Sequence, residues 1–373
     1  MRGMRMSNSI GTIFRVTSFG ESHGRCVGVV VDGCPAGLRL SNEDIQGELD
    51  RRRPGQGSVT TSRAESDRAD LLSGVFNGHT TGAPICMLVW NEDRDSSGYE
   101  ARRWTPRPGH ADYTAHVRYG GFNDYRGGGR FSGRITAGFV MAGAVAKKLL
   151  FDALGVEIIA HAKEIGSLRA SDLGVDAIRM NAEGNPVRCG DPEAAERMVE
   201  SIVKASAEGD SLGGVVECYA LNFPPGVGGP VFDTLEGDLA KALYAIPGVK
   251  AVEFGLGREI SRLKGSESND EYAIKDRRIV TRTNRAGGVL GGLSDGMPVT
   301  CSVAFKPTPS IGRRQRTVDI ETLKEATIEI EGRHDPCIVP RAVPVVEGMV
   351  AVVLADHAIR AGLIPTVMES MGQ

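Results

Sequence analysis

Cysteine pairs at metal-ligand spacing, nucleotide-binding glycine loops, a secretory core and a large excess of either charge are all missing from this 373-residue chain. Its seven cysteines (Cys26, Cys34, Cys86, Cys189, Cys218, Cys301 and Cys337) never fall as CxxC. They read as small buried hydrophobes in a reducing compartment rather than a disulfide framework or a zinc site. No GxGxxG follows a strand pattern, Gly255-Leu256-Gly257 lacking the third glycine, and no GxxxxGK[ST] occurs. Any cofactor must therefore be held by other loops. The first ten residues, MRGMRMSNSI, have no apolar core, and the most apolar late run, Val343 to Leu354, is broken by Glu347. Secretion and membrane spanning are unsupported, so a cytoplasmic protein without membrane partners is expected. With 44 basic and 47 acidic residues the net charge is -3, which disfavours a nucleic-acid binder.

Lysine is scarce as well: 34 of the 44 basic residues are arginine. Arginines cluster from 102 to 134, where seven of them (Arg102, Arg103, Arg107, Arg118, Arg126, Arg130 and Arg134) face two acids, Asp112 and Asp124. Such a local excess asks for an anion, and guanidinium binds phosphate or carboxylate through two parallel hydrogen bonds. Within this stretch Arg107-Pro108-Gly109-His110 places a histidine on a Pro-Gly turn, where an imidazole is accessible. Gly127-Gly128-Gly129-Arg130 precedes an apolar helical pattern, and glycines there let backbone N–H groups approach an oxyanion at the helix N-terminus.

Along the chain, strands are expected over Phe14–Ser18, Cys26–Val31 and 156–165, with a turn and another strand within 77–90. Helices are expected from Ser41 to about Arg52, over Thr136–Leu150 and from Asp191-Pro192 to Gly209. Short motifs recur in order. Gly209-Asp210-Ser211-Leu212-Gly213 echoes Gly20-Glu21-Ser22-His23-Gly24, each with a proline 13 residues beyond its serine. Gly296-Met297-Pro298-Val299 echoes Gly82-Ala83-Pro84-Ile85, and Gly332-Arg333-His334-Asp335 echoes the region of His110. A duplication of about 11–150 and 209–361 follows. The expected fold is α+β: one domain over 1–373, an internally duplicated β-α sandwich with antiparallel sheets packed around a helical layer.

Of the seven histidines, His23 and His110 sit among glycines and are candidates for acid/base work; His161 and His357 fit structural roles, and His334 is ambiguous between turn and site. Arg51-Arg52-Arg53 ends a helix before a Pro-Gly stop, and Lys306-Pro307-Thr308-Pro309-Ser310 offers a cation and two hydroxyls on a rigid backbone, suited to a phosphate or a flavin edge. The residues thus describe an enzyme with several anion-binding arginines, two accessible histidines and no metal.

Seven segments together resemble the chorismate synthase family along nearly the whole chain: FGESHGRCVGVVVDGCPAG (19–37), DRRRPG (50–55), RPGHADYT (107–114), YRGGGRFSGR (125–134), AGGVLGG (286–292), FKPTPSI (305–311) and GRHDPC (332–337). The resemblance implies a carbon–oxygen lyase of the shikimate pathway that eliminates phosphate, anti and 1,4, from 5-enolpyruvylshikimate 3-phosphate to give chorismate. It implies reduced FMN (FMNH2) with no net redox change, possible use of NADPH, and a homotetramer. It makes His23 an acid on the substrate side, His110 the partner of reduced flavin near N1, and Asp335 an aid to proton removal near N5. Arg130, Ser132, Pro247, Gly248, Gly291, Lys306, Pro307, Thr308, Pro309, Ser310 and Arg333 match flavin-contact positions, and Arg52, Arg53, Arg107 and Arg134 match the substrate or NADPH side. Phe131 and Ile135 depart from the family run and shift flavin contact toward backbone. Ser58 stands where relatives carry arginine, which weakens the case for NADPH. The alternatives are an NAD(P)H-dependent flavin oxidoreductase, which would consume nicotinamide stoichiometrically, and a polyanion-binding module.

Overall fold

The structure is a computed structural model that describes residues 8–55, 59, 66–92, 97–100, 102–330 and 334–368. Strands β1 (Arg15–Gly20) and β2 (Cys26–Asp32) are followed by helix α1 (Asn42–Arg52), an edge strand β3 (Ala69–Leu71), a small hairpin and β4 (Ile85–Trp90). Helix α2 (Asp112–Tyr119) and two 3-10 turns lead into α3 (Thr136–Leu154). Next come β5 (Glu157–Ile165), α4 (Pro192–Ala207), β6 (Gly214–Leu221), α5 (Leu235–Tyr244), β7 (Val249–Phe254), β8 (Val299–Phe305) and α6 (Val339–Arg360).

Local signals account for the helix ends. Ser41 accepts from Asp44 N–H and Asp44 accepts from Ser41 N–H, closing a capping box at α1. Asp191 caps α4 through Ala194 N–H, with Pro192 in the first turn.

Among the described residues every strand ladder is antiparallel; two isolated bridges, Ala36 with Val367 and Leu212 with Cys337, are parallel. The first sheet runs Ser9–Ile10, β1, β2, β4, β3, and the second β7, β8, β6, β5, Leu168–Arg169. Both sheets are reached by one succession: two long strands, a helix, an edge strand, a hairpin, a third long strand and a buried helix. Helices α3 and α6 lie between the sheets, α3 against the first and α6 against the second, which is the expected antiparallel sandwich around a helical layer. Apolar burial along both helices holds this layer together: nearly every residue of α6 is buried, as is the α3 face from Thr136 to Ala146. The two helices touch where Gly143 meets Gly348; a Cβ on Gly143 would lie 2.3 Å from Gly348 Cα.

Polar groups in this layer are satisfied. Glu347 of α6 is buried, accepts from Lys147 Nζ and Arg51, and takes the Ala160 N–H at 3.0 Å. Burial would raise its pKa, but Lys147 and Arg51 pull it down to about 2. Asp356 accepts from the N–H groups of Thr12, Ile13 and Phe14 and so fastens the entry to β1 onto α6. Five of the cysteines are buried and Cys26 and Cys86 half-buried, all free.

Candidate active site

A cavity of about 590 Å³, within the size range of small-molecule sites, opens at the end of the helical layer. Its walls are the 107–112 turn, the 123–136 loops, the C-terminal end of α5, the 305–310 segment and the start of α6. The turn forms as the sequence requires: His110 N–H reaches Arg107 O at 3.2 Å and Gly109 has φ +72°. A Cβ on Gly109 would lie 2.7 Å from Pro309 Cβ, so this glycine also permits the turn and the 306–310 segment to close on one another. Lys306 Nζ donates to the Gly109 carbonyl, and Ser211 Oγ donates to Thr308 O at 2.6 Å.

His110 Nδ1 lies 3.1 Å from Pro108 O and Nε2 lies 2.8 Å from Ser310 Oγ. A carbonyl only accepts, so Nδ1 carries the proton and Nε2 accepts from the Ser310 hydroxyl. Burial, then the Arg107 guanidinium, push its pKa down to about 4, leaving the imidazole neutral at pH 7.

His23 also borders the cavity but is 7% exposed, less open than its flanking glycines imply. The Gly127 backbone lies on its ring, where any Cβ would come within 2.2 Å of Cδ2, and Tyr99 meets the ring edge-on at 5.0 Å. Ser22 Oγ donates to Gly127 O at 3.1 Å and holds that loop in place.

Seven cations (Arg52, Arg107, Arg130, Arg134, Lys250, Lys306 and Arg341) border the cavity against three carboxylates, Asp112, Asp124 and Asp335. Most of the arginines are already committed. Arg107 is bidentate to Asp112 at 2.8 and 2.9 Å. Arg52 is buried and donates to Thr136 Oγ1, Asp67 and Gly133 O. Burial and Arg341 lower its pKa to about 10, still charged at neutral pH. Arg134 donates to Asn91, Asp67 and Trp90 O. Burial raises the pKa of Asp67, yet Arg52 and Arg134 reverse this and hold it below the usual carboxylate range. Arg341 donates to Asp335 and to Arg52 O. Among the described residues, Arg130 and Lys250 have no carboxylate within ion-pair distance, and Lys306 has only the Gly109 carbonyl. These three are the cations open to a ligand.

Of the residues singled out in the sequence, His23, His110, Asp335, Arg52, Arg107, Arg130, Ser132, Arg134, Pro247, Gly248, Lys306, Pro307, Thr308, Pro309 and Ser310 all border this cavity. Gly291 does not. It lies in the turn of the 289–294 hairpin, fastened by Leu235 N–H to Gly292 O at the start of α5, whereas the cavity touches the other end of that helix, about 15 Å away. Arg53 points to solvent near Asp50 at 3.7 Å, and Arg333 and Ser58 lie outside the described residues. The glycine triplet lies within the first 3-10 turn and is separated from α3 by the second (Gly133–Ile135), so it cups His23 rather than opening a helix N-terminus. His161 and His357 are buried away from the site, bonded to Glu217 and Asp238. Sequence reasoning missed Arg341, Lys250 and Tyr99; the cluster of arginines and tyrosines near 99–126 was the only hint of the last.

A flavin fits this chemistry. Thr308 Oγ1 is buried without a hydrogen-bond partner, and Arg130 and Lys250 have no carboxylate in ion-pair range among the described residues. The family model described as chorismate synthase matches residues 14–359. Among curated proteins, the chorismate synthase of Dehalococcoides mccartyi (strain BAV1) is 57% identical over 364 residues, covering 98% of this chain and 100% of that protein. That of Methanococcoides burtonii is 54% identical over 355 residues, covering 95% and 96%. A solved structure described as a crystal structure of chorismate synthase superposes with a TM-score of 0.76 at 31% identity, covering 94% of this chain and 93% of the other. Motifs, sandwich and relatives agree from one end of the chain to the other, and on that agreement the chain belongs to the chorismate synthase family.

Proposed function

We propose that this chain is a lyase that converts 5-enolpyruvylshikimate 3-phosphate to chorismate by anti-1,4-elimination of phosphate, with reduced FMN as cofactor. The observation that carries the reading is the convergence of His23 and His110, 87 positions apart in the sequence, with Arg130 and Lys306 on one cavity. The reaction breaks the allylic C–O bond, removes one ring proton and forms a C=C bond, so phosphate and a proton leave. The chemistry that reduced flavin supplies when bound is transient electron donation, recovered within the turnover.

The chain's own residues do the rest. Arg130 and Lys306 bind anionic oxygens of cofactor and substrate, each charged contact contributing about 1.5–3 kcal/mol. His23 presents an imidazole N–H to the leaving phosphate. Asp335, oriented by Arg341, stands on the side of ring-proton removal. Neutral His110 is able to take a proton at Nε2 when an anion enters the cavity, because added negative charge raises its pKa. Pro247, Gly248, Ser132 and the 307–310 backbone line the flavin side, and Thr308 Oγ1 awaits a polar partner there. Arg52 and Arg134 build the wall through Asp67 and act on substrate mainly through charge.

The homotetramer implied by the family is supported by side chains such as Phe122 and Phe232, each 95% exposed, and Ile274 and Leu323 at 82% and 88%. A duplication is supported by the shared strand succession, with β1-β2-β4-β3 and β5-β6-β8-β7 in the same spatial order. NADPH use is a secondary proposal that rests on Arg52, with Arg53, Arg107 and Arg134 matching the same substrate or NADPH side.

Anaerobic incubation with the enolpyruvyl substrate tests the reading. Phosphate release is expected only with reduced FMN; turnover without flavin, or nicotinamide oxidised in step with product, would overturn it.

A further inference from the structure

We propose that Lys250 is an additional anion-binding residue of this cavity, gripping a phosphomonoester dianion together with Lys306; the inference rests on the reading of the cavity above. Lys250 sits where the ladder between β7 and β8 slips. Val249 pairs with Phe305, but Ala251 pairs with Ala304, so Lys250 is the extra residue of a β-bulge. A bulge re-aims a side chain that regular alternation would send across the sheet, and bulges gather beside sites. Here it puts Lys250 on the cavity wall.

Its neighbour is Lys306, the first residue beyond β8, whose N–H donates to Gly248 O at 3.0 Å. The bulge and the lysine are therefore fastened to one another through the backbone. No carboxylate lies within ion-pair distance of either ammonium among the described residues. Burial, then the charge of Lys250, lower the pKa of Lys306, as expected for two like charges with nothing between them. A dianion seated between the two removes that repulsion, and an ammonium serves phosphate as a point charge without demanding bidentate geometry. Two dianions meet the description: the ribityl phosphate of the flavin and the phosphate ester of the substrate.

The test is Lys250→Gln in the full chain, with equilibrium binding of oxidised FMN, riboflavin and 5-enolpyruvylshikimate 3-phosphate measured at low salt. Dissociation constants are expected to rise about tenfold for the phosphate-bearing ligand concerned, the low end for a charged hydrogen bond because the ammonium is exposed. Lys250→Arg should recover most of it. Weakened FMN with unchanged riboflavin places the flavin phosphate there; weakened substrate with unchanged FMN places the substrate ester there. Lys241→Gln, at an exposed lysine bordering a different pocket, should leave all three constants unchanged. If FMN and substrate both bind the Lys250→Gln chain as tightly as wild type, or if Lys241→Gln weakens them equally, the inference fails. A wild-type chain that binds neither ligand would overturn the reading of the cavity, and this inference with it.

Discussion

Ser310 Oγ lies 2.8 Å from His110 Nε2 although 200 positions separate them in the chain. With Pro108 O on the opposite nitrogen, this contact fixes one tautomer of a neutral imidazole. His110 should accordingly titrate near 4 in the ligand-free protein, read from the pH dependence of its ring resonances. Binding of an anionic ligand should move that value upward. A midpoint at 6.5 in the free protein would refute the assignment. His110→Ala should lower turnover by about 10²–10⁴-fold, the usual contribution of a positioned acid or base.

The same group makes stability depend on pH in a definite direction. Its folded-state pKa of about 4 lies below the ordinary 6.5, so between those values the unfolded chain holds more protons. Stability should rise with pH from 4 to 6.5 and gain nothing more from this group above 6.5, the full effect being at most about 3 kcal/mol. His110→Gln should flatten the denaturation free energy over that window relative to wild type. Parallel curves for the two proteins would show that the histidine is not buried neutral.

Arg130 and Arg134 should fail differently when cut to alanine. Arg134 helps neutralise the buried Asp67, so its loss leaves that carboxylate undercompensated and should cost about 3 kcal/mol or more in denaturant stability. Arg130 has no such partner, so Arg130→Ala should stay within about 0.5 kcal/mol of wild type while FMN or substrate affinity drops at least about tenfold. Equal stability losses would erase the distinction between committed and open cations.

Helix contact predicts an asymmetric pair of alanine variants. At Gly143 the new methyl would meet Gly348 Cα at 2.3 Å, backbone against backbone; at Gly348 the nearest atom is 3.3 Å away. Gly143→Ala should lose about 1–3 kcal/mol despite its better helix propensity, whereas Gly348→Ala, whose methyl needs only a few tenths of an ångström of relief, should lose less. Thermal unfolding of the two variants compares them directly, and a reversed order would mean the helices do not pack as described.

Much of this was legible in the chain because its signals are local. The Ser41 box, the Asp191-Pro192 start and the Pro108-Gly109 turn each need only a few neighbours, and each formed as written. The charge balance of the site was not legible. The seven arginines of 102–134 looked hungry for ligand, but Arg134 is answered by Asp67 from a loop far upstream, and Arg107 folds back on Asp112. Lys250 was invisible for a different reason: a one-residue slip in strand register leaves no mark in composition or periodicity. His23 is less open than its flanking glycines imply, because the backbone of Gly127, from a loop far along the chain, closes on the ring.

Helix α6 follows every strand in sequence yet supplies the wall against which the second sheet and α3 pack. A ribosome therefore delivers the second sheet before the helix that covers its apolar face. The emerging polypeptide must stay unfinished, with apolar rows of that sheet open to solvent or chaperone, until α6 arrives and its Asp356 fastens the opening strand; interrupted translation would yield fragments prone to sticking together rather than small working halves.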